Sequence, residues 1–270
     1  MKNRLIILGS KGMLGQMVKS YFSKEKYQVY EFNKKFSERN FVSYINELNC
    51  FDDSLIINCI GRIKQKSEDT FNLIWPNTIL PLALSRSLKP SHILIHPSTD
   101  CVFDGITKNS YDLYDIHTAT DIYGFSKSLG ETAIKQMSNS LIIRVSIIGP
   151  DNNSSKGLLS WFLNCKPKSV LNGYTNHLWN GVTTLEWCKK VHEIINDKIF
   201  FKNQMKKGTI QLGTKEIYSK YEMLSIFNKV YKKDFVINSY QTKYINRCLK
   251  PTIESKPLEE QLYELSSFKF

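Results

Sequence analysis

The amino-acid sequence predicts an α/β fold, a doubly wound parallel sheet with a small C-terminal lobe. Short apolar runs alternate with helical patterns through the first 150 residues, and a glycine-rich segment directly follows the first run. The alternation loosens after Gly149 and Pro150. We therefore expect a sheet domain over residues 1–150 and a lobe over residues 151–270, with a segment at about 183–230 that returns to the sheet domain.

Apolar runs and helical spacing predict the individual elements. The predicted strands are Leu5–Leu8, Gln28–Phe32, Leu55–Asn58, Ile93–His96, Leu141–Val145 and Thr209–Leu212. The predicted helices are Met13–Phe22, Asp69–Leu88, Ile122–Met137, Thr183–Asn196 and Ser219–Tyr231. Pro76 and Pro81 should bend or divide the second of these helices, because proline removes a helical hydrogen bond. The pattern from Phe235 to Phe270 is less clear.

The composition is that of a globular protein. With 270 residues and 41% hydrophobic side chains, the chain can bury a full core, which excludes a disordered chain, a collagen-like repeat and a disulfide miniprotein. No apolar run approaches the roughly 18 residues of a membrane helix, so we expect no membrane partner. The six cysteines form no Cys-x-x-Cys pair, which indicates neither a metal site nor a disulfide framework. Without an export signal, we expect a reduced, cytoplasmic protein.

The formal net charge is +12. The lysines are spread along the whole chain rather than gathered in a dense run, so we expect no nucleic-acid partner. Two interpretations remain: a solvated, lysine-rich surface, or a field that attracts an anionic ligand.

A glycine-rich turn follows the first predicted strand, with glycines at positions 9, 12 and 15. Glycines there permit a tight turn and let a pyrophosphate approach the backbone, while the amides of the next helix hold its negative charge. The spacing is Gly-x-x-Gly-x-x-Gly rather than the usual Gly-x-Gly-x-x-Gly. Its place in the first strand–turn–helix unit predicts Rossmann-like dinucleotide binding. The candidate residues are Gly9, Lys11, Gly12, Met13, Leu14 and Gly15.

The end of the second strand should meet the adenosine ribose, where an NAD site usually offers a carboxylate. Glu31 falls inside the predicted strand, and Asn33, Lys34 and Lys35 follow it. Cations suit a 2′-phosphate, so we favour NADP over NAD; the alternative is that both lysines are solvated surface. Small residues after the third strand would let the cofactor pass close to the backbone. A helical asparagine is expected to face the same cofactor side. These further candidates are Cys59, Ile60, Gly61 and Asn77.

Two segments predict the chemistry. One is His96–Gly105, after the fourth strand, and the other is Tyr123–Glu131, on a helix. Tyr123 and Lys127 are four residues apart and so project from one face. The phenol has an ordinary pKa of about 10, which a nearby ammonium would lower. With Thr99 to hold the substrate oxygen, these groups can move a proton while a nicotinamide moves a hydride.

These motifs resemble those of the extended short-chain dehydrogenase/reductases, and in particular the dTDP-4-dehydrorhamnose reductases. Their pattern Ser-Thr-Asp-Tyr-Val-Phe-Asp-Gly is close to Ser98–Gly105, and the likeness extends to Arg144–Ser146 and Gly181–Thr184. The resemblance implies a catalytic triad of Thr99, Tyr123 and Lys127, with Asp100 touching the sugar or tuning the proton donor. It implies a nucleotide-linked 4-keto-6-deoxy sugar as substrate, NADPH or NADH as cofactor and, because relatives are often dimers, a homodimer. The substrate-side candidates are Val102, Phe103, Lys64, His177 and Trp179.

Two departures from the family pattern bear on function. Cys101 stands where relatives often carry an aromatic residue, and it resembles the epimerase cysteine of GDP-fucose synthase. A thiolate there, with His177, Lys64 or Lys66 as the acid on the other face, could invert carbons beside the ketone; the alternative is a small buried residue. Ile147 replaces the usual tryptophan.

The sequence leaves the product and the nucleotide base open. A UDP- or dTDP-linked substrate would yield a deoxysugar donor such as rhamnose or an N-acetylated 6-deoxyhexose. The other hypothesis is a non-catalytic, NADP-binding regulatory subunit, similar to the beta subunit of methionine adenosyltransferase.

Overall fold

Seven parallel strands form the central sheet of the computed structural model, which describes residues 4–63, 70–151 and 156–270. In chain order the strands are β1 (Arg4–Leu8), β2 (Gln28–Phe32), β3 (Leu55–Asn58), β4 (Ile93–Pro97), β5 (Ser140–Arg144), β6 (Ile147–Ile148), β7 (Val170–Tyr174), β8 (His177–Trp179), β9 (Val182–Thr183), β10 (Thr209–Thr214), β11 (Tyr218–Ser219), β12 (Val236–Tyr240), β13 (Ile245–Asn246) and β14 (Ile253–Ser255). The sheet order is β14-β10-β5-β4-β3-β1-β2.

Helices connect these strands. They are α1 (Met13–Lys24), α2 (Phe41–Asn49), α3 (Phe71–Ile74), α4 (Leu80–Ser87), α5 (Ile122–Ile134), α6 (Leu158–Leu163), α7 (Thr184–Asn196), α8 (Lys198–Lys207), α9 (Lys220–Val230) and α10 (Leu258–Ser267). A π-helical turn at Trp75–Ile79 separates α3 from α4. The helical stretch therefore continues from Phe71 to Ser87, with a change in hydrogen-bonding pattern around Pro76 and no break at Pro81.

Alternate side chains of the buried strands enter two separate cores. Leu5 and Ile7 of β1 pack in the core that includes α1 and α7, while Ile6 and Leu8 pack in the core that includes α2 and α4. Strands that are buried on both faces must be apolar throughout, which explains their continuous apolar runs. This arrangement confirms the doubly wound parallel sheet.

The chain reverses direction across the sheet between β1 and β3, because β2 lies on one side of β1 and β3 on the other. A crevice opens at the carboxyl ends of the strands at such a switch point. Residues of the turns after β1 and β3 line a groove at this edge of the sheet.

The chain after residue 150 contributes to both parts of the molecule. α7 packs against α1, and β10 and β14 extend the central sheet. The lobe contains the pair β7–β12 and the three-stranded sheet β11-β8-β13. In the described ranges, no helix is long and apolar enough to cross a membrane.

Several elements were not predicted. Among them are α2, α8, α10 and the short lobe strands. The pair β7–β12 joins Val170 to Val236, which are far apart in the sequence, and both strands also pack against α9.

Candidate active site

The turn after β1 is shaped by two of its three glycines. Gly9 has φ +78°, and a Cβ on it would lie 2.7 Å from Cγ1 of Ile60. A Cβ on Gly15 would overlap the Gly9 carbonyl oxygen, so this glycine lets α1 begin close against the turn. On Gly12, by contrast, a Cβ would make only an ordinary contact at 3.7 Å. The fold itself therefore requires glycine at positions 9 and 15.

The first turn of α1 is open to an anion. Gly12 is its N-cap, and no side chain caps the helix and no acidic residue lies in its first turn. The first amides of a helix lack partners within the helix and carry a partial positive charge. Met13 is partly buried there, and Leu14 packs against the core.

A groove of about 510 Å³ lies beside this turn. Its lining includes most residues predicted for the cofactor side: Gly9, Lys11, Gly12, Asn33, Lys34, Lys35, Ile60 and Gly61. Phe32, Phe36, Trp75 and Pro76 add apolar walls. Cys59 packs instead against the core, and burial raises the pKa of its thiol.

Asn77 is buried and makes several hydrogen bonds beside the groove. Its amide donates to the Arg62 carbonyl oxygen at 2.9 Å and to Ser126 Oγ at 3.0 Å, and its Oδ1 accepts from the Arg62 amide at 3.0 Å. Asn77 therefore ties the loop after β3 to α5.

The end of β2 leaves cations at the groove. The Glu31 carboxylate accepts from Ser10 Oγ at 2.7 Å and pairs with Lys19 at 2.5 Å, and both partners lower its pKa. Lys34 pairs with Glu47. Lys35 lines the groove and makes no such pair within the described ranges.

The turn Ser98–Gly105 follows β4 and holds the predicted catalytic residues Thr99, Asp100 and Cys101, so we call it the catalytic turn. The Thr99 hydroxyl accepts from the Cys101 amide at 3.1 Å and donates to Asp100 Oδ1 at 3.0 Å. Cys101 Sγ lies 3.6 Å from the same carboxylate oxygen. Burial and the neighbouring Asp100 raise the pKa of the Cys101 thiol to about 12, although Arg247 opposes them.

Helix α5 packs unusually close to this turn. Asp121 caps it by accepting from the Gly124 amide at 2.9 Å. A Cβ on Gly124 would overlap the Cys101 carbonyl, and one on Gly130 would overlap the Asn77 carbonyl. This close packing brings Tyr123 near Thr99, whose hydroxyl acts to lower the pKa of the phenol.

Lys127 is bonded to the backbone at the end of β4 rather than to Tyr123. Lys127 Nζ donates to the Pro97 carbonyl oxygen at 2.8 Å. Burial lowers its pKa to about 8, while the Glu131 carboxylate acts in the opposite direction. Burial, together with Cys101, raises the pKa of Tyr123 against the effect of Thr99. The phenol therefore keeps its proton at neutral pH.

A buried ion pair between Arg144 and Glu131, which we did not predict, supports the catalytic turn through Ser98. Arg144 binds both oxygens of Glu131, with Nη2–Oε2 at 2.8 Å and Nε–Oε1 at 3.1 Å. Ser98, next to Thr99, donates to the same carboxylate. Arg144 Nη1 also donates to Gln211 Oε1 at 3.0 Å, so the network joins α5, β4, β5 and β10.

Two residues that were predicted to contact the substrate are buried in the structure. Val102 and Phe103 are fully buried, and the Phe103 ring stacks on Tyr111 with centroids 4.2 Å apart. A side chain without exposed surface cannot touch a ligand in this conformation. Val102 and Phe103 therefore support the packing of the catalytic turn.

The remaining substrate-side predictions concern the lobe. Trp179 is 4% exposed and packs in the core, which does not favour stacking on a nucleotide base. His177 is partly buried; its Nε2 lies 3.0 Å from the Lys243 carbonyl oxygen, and burial lowers its pKa. Lys64 and Lys66 lie outside the described residues. No sequence motif pointed to Lys220, whose Nζ lies 5.8 Å from the Trp179 ring centroid.

Comparison with known proteins places this geometry in a family. A family model described as the RmlD substrate binding domain matches residues 3–233. The chain belongs to the RmlD family. This confirms the predicted resemblance to the dTDP-4-dehydrorhamnose reductases and the extended short-chain dehydrogenase/reductase fold.

Individual known proteins align over nearly the whole chain. The dTDP-4-dehydrorhamnose reductase of Aggregatibacter actinomycetemcomitans is 24% identical over 94% of this chain and 88% of its own. The structure of dTDP-4-dehydrorhamnose reductase from Bacillus anthracis in complex with NADP superposes with a TM-score of 0.83 at 19% identity, covering 98% and 99% of the two chains. RMD from Pseudomonas aeruginosa, complexed with NADPH, has a TM-score of 0.75 at 13% identity, covering 97% and 96%.

Proposed function

We propose that this protein reduces carbon 4 of a nucleotide-linked 4-keto-6-deoxyhexose, UDP- or dTDP-linked, with NADPH. The observation that carries the proposal is the convergence of Thr99, Tyr123 and Lys127 at the carboxyl end of β4, beside a groove suited to a dinucleotide. The relatives named dTDP-4-dehydrorhamnose reductase support the substrate class.

The groove fits a dinucleotide in two respects. The uncapped start of α1 offers amides to a pyrophosphate, and Gly12 leaves open the space that a Cβ would fill. Lys35 and Asn33 lie where the adenosine end would bind, and a cation there favours NADPH over NADH. When bound, NADPH supplies the hydride that carbon 4 receives.

The side chains supply the proton and hold the ketone. The Thr99 hydroxyl, which donates to Asp100 in this structure, would instead hold the substrate oxygen. Tyr123 keeps its proton at neutral pH, so it can donate that proton to the oxygen as the alcohol forms. Lys127 stabilises the resulting phenolate through its charge, while Pro97 holds the ammonium in place.

The test is to incubate the protein with NADPH and a panel of UDP-, dTDP- and GDP-linked 4-keto-6-deoxy sugars, and to identify products by NMR. We expect NADPH oxidation and a 4-hydroxy product from a UDP or dTDP sugar. NADPH binding without oxidation on any member of the panel would instead support the non-catalytic regulatory subunit.

Epimerisation at carbon 3, or at carbons 3 and 5, is a second candidate function, favoured by the position of Cys101 in the catalytic turn. Its thiolate would remove a proton from a carbon beside the ketone, and an acid on the other face would return one. The raised pKa of the thiol opposes this step unless substrate binding changes its surroundings. In deuterated water, the wild type should place deuterium at these carbons and Cys101→Ser should not; equal incorporation by both would exclude Cys101 as the base.

A further inference from the structure

His117 lies on the segment between the catalytic turn and α5, at the outer end of the buried Arg144–Glu131 pair. Its Nε2 lies 3.0 Å from Arg144 Nη2 and 3.5 Å from Glu131 Oε2. Its Nδ1 lies 2.6 Å from Ser128 Oγ. The His117 side chain is 16% exposed, whereas those of Arg144 and Glu131 are 1% and 0% exposed. Of these three side chains, the imidazole is the one that water can reach.

The partners of the His117 ring fix its protonation state. A guanidinium only donates hydrogen bonds, so Nε2 must accept from Arg144 and carries no proton. The proton of the neutral ring is then on Nδ1, which donates it to Ser128 Oγ. A proton added at Nε2 would face the guanidinium at 3.0 Å. The folded chain therefore holds His117 in its neutral form.

The groups around His117 also favour the neutral ring. Burial lowers its pKa from the ordinary value of 6.5; Glu131 of α5 opposes this, while Arg144 of β5 and Lys135, just after α5, add to it. The catalytic turn contributes an uncharged neighbour, because the Phe103 ring packs edge-on against the imidazole with centroids 5.6 Å apart. Acidification therefore places a new positive charge between two cations and one carboxylate.

Glu131 links His117 to the proposed catalytic groups. Its carboxylate accepts from Ser98, at the start of the catalytic turn, and its charge raises the pKa of Lys127. Arg144 holds both of its oxygens. When a proton on His117 draws Oε2 away from the guanidinium, Ser98 and Lys127 lose the carboxylate position on which both depend.

The backbone beside His117 is tied to the catalytic turn as well. The Thr118 amide donates to the Val102 carbonyl oxygen at 3.0 Å. Thr118 Oγ1 accepts from the Asp104 amide at 3.1 Å. A displacement of the imidazole is thus passed to the turn through the neighbouring residue, in addition to the path through the carboxylate.

We propose that His117 is a positioning residue for the reaction. Its neutral imidazole holds the Arg144–Glu131 pair against the catalytic turn, and its protonation loosens the turn and lowers the rate. The effect on rate rests on the proposed function, whereas the form of the ring and its effect on stability do not.

The first measurement observes the imidazole directly. Long-range proton–nitrogen NMR at neutral pH should show the His117 ring with a proton on Nδ1 and none on Nε2. The signals that disappear in His117→Gln assign the ring. The opposite tautomer, or a charged ring at neutral pH, would overturn the proposal.

The second measurement is the urea midpoint of unfolding as a function of pH. The unfolded chain takes up the His117 proton near pH 6.5 and the folded chain only at lower pH. The stabilisation is therefore complete above pH 6.5 and is lost as the pH falls towards the lower, folded value. His117→Gln should lose less than the wild type over this range, because its amide oxygen can accept from Arg144 but does not titrate.

The matched control is His192→Gln on α7. The His192 side chain is 17% exposed, much like that of His117, but its partners are Tyr21 at 3.1 Å and Glu25 at 3.9 Å. Because it lies outside the Arg144–Glu131 network, its substitution should leave the acid dependence of the urea midpoint and of kcat as in the wild type.

The third measurement is the pH profile of kcat on a keto sugar that the protein reduces. Wild-type kcat should fall as the pH drops below 6.5, and His117→Gln should keep most of the rate at neutral pH and flatten this fall. His117→Leu cannot accept from Arg144 and should lower kcat by roughly tenfold at every pH, the range of a hydrogen bond to a charged group. The Kd for NADPH should not change in either variant.

The outcomes separate this role from the proposed function. Equal acid losses in the wild type and His117→Gln, or a full rate in His117→Leu, would exclude the positioning role while reduction stands. If no keto sugar is reduced, the proposed function fails, and the NMR and urea measurements still decide the state of the ring. If His117→Leu does not fold, the comparison of His117→Gln with the wild type is sufficient.

Discussion

The two walls of the crevice are built in different ways. On the sheet wall, Thr99, Tyr123 and Lys127 come from two short contiguous segments, each placed by the end of a strand or the start of a helix. On the lobe wall, His177, Lys220 and Arg247 meet only because three short strands pair across the chain. The difference teaches that the proposed catalytic groups are positioned by local segments, whereas the side chains of the lobe wall meet through long-range strand pairing.

The largest expected effect tests the sheet wall. Tyr123→Phe should lower kcat by about a hundred- to ten-thousandfold, because it removes the proton donor, and should leave the Kd for NADPH unchanged. Steady-state kinetics and NADPH titration measure the two quantities. Tyr114→Phe is the control, since Tyr114 is 87% exposed. Full turnover by Tyr123→Phe would refute the assignment and leave the lobe wall as the better candidate for the chemistry.

The next effect concerns the buried pair behind the sheet wall. Glu131→Ala leaves Arg144 buried without its carboxylate, which should cost about 3–5 kcal/mol in the free energy of unfolding. Urea denaturation measures this loss. In the control, Glu193→Ala breaks the exposed pair with Lys190 and should cost less than about 1 kcal/mol. Equal losses would show that the network does not hold the catalytic turn.

Substitutions of two glycines at the start of α1 should distinguish an effect on stability from an effect on cofactor binding. Gly15→Ala should destabilise the protein by about 1–3 kcal/mol, because the new methyl group overlaps the Gly9 carbonyl. Gly12→Ala should change stability by less than about 0.5 kcal/mol but weaken NADPH binding. Urea denaturation and NADPH titration distinguish them. If Gly12→Ala binds NADPH normally, the pyrophosphate does not lie against this turn.

The smallest expected effect concerns cofactor preference. Lys35→Ala should weaken NADPH by roughly three- to tenfold, the range of an exposed charge contact, while NADH binding stays the same. Lys34→Ala is the matched control, because Lys34 is already paired with Glu47 and should matter less. Equal affinity of Lys35→Ala for NADPH would point to NADH or to another cation of the groove.

The sequence predicted the sheet wall well. Strands β2 and β3 were predicted to the residue, and the turn at Gly9 and the triad positions followed from motifs. It did not predict what those groups do to one another. Lys127 was expected to lower the pKa of Tyr123. Instead, Lys127 donates a hydrogen bond to Pro97, and burial raises the pKa of the phenol. Val102, from the same motif, is buried support.

The sequence by itself determined the main strands of the parallel sheet, its glycine turn and the chemical identity of the proposed catalytic groups, because periodicity and motif spacing act over a few residues. Tertiary structure alone decided which side chains are buried and which cations face the crevice. Burial depends on packing from distant segments, as when Arg144 meets Gln211 or Lys220 approaches Asp100. A local sequence pattern does not predict such contacts, since they form only when distant segments come together in the folded chain.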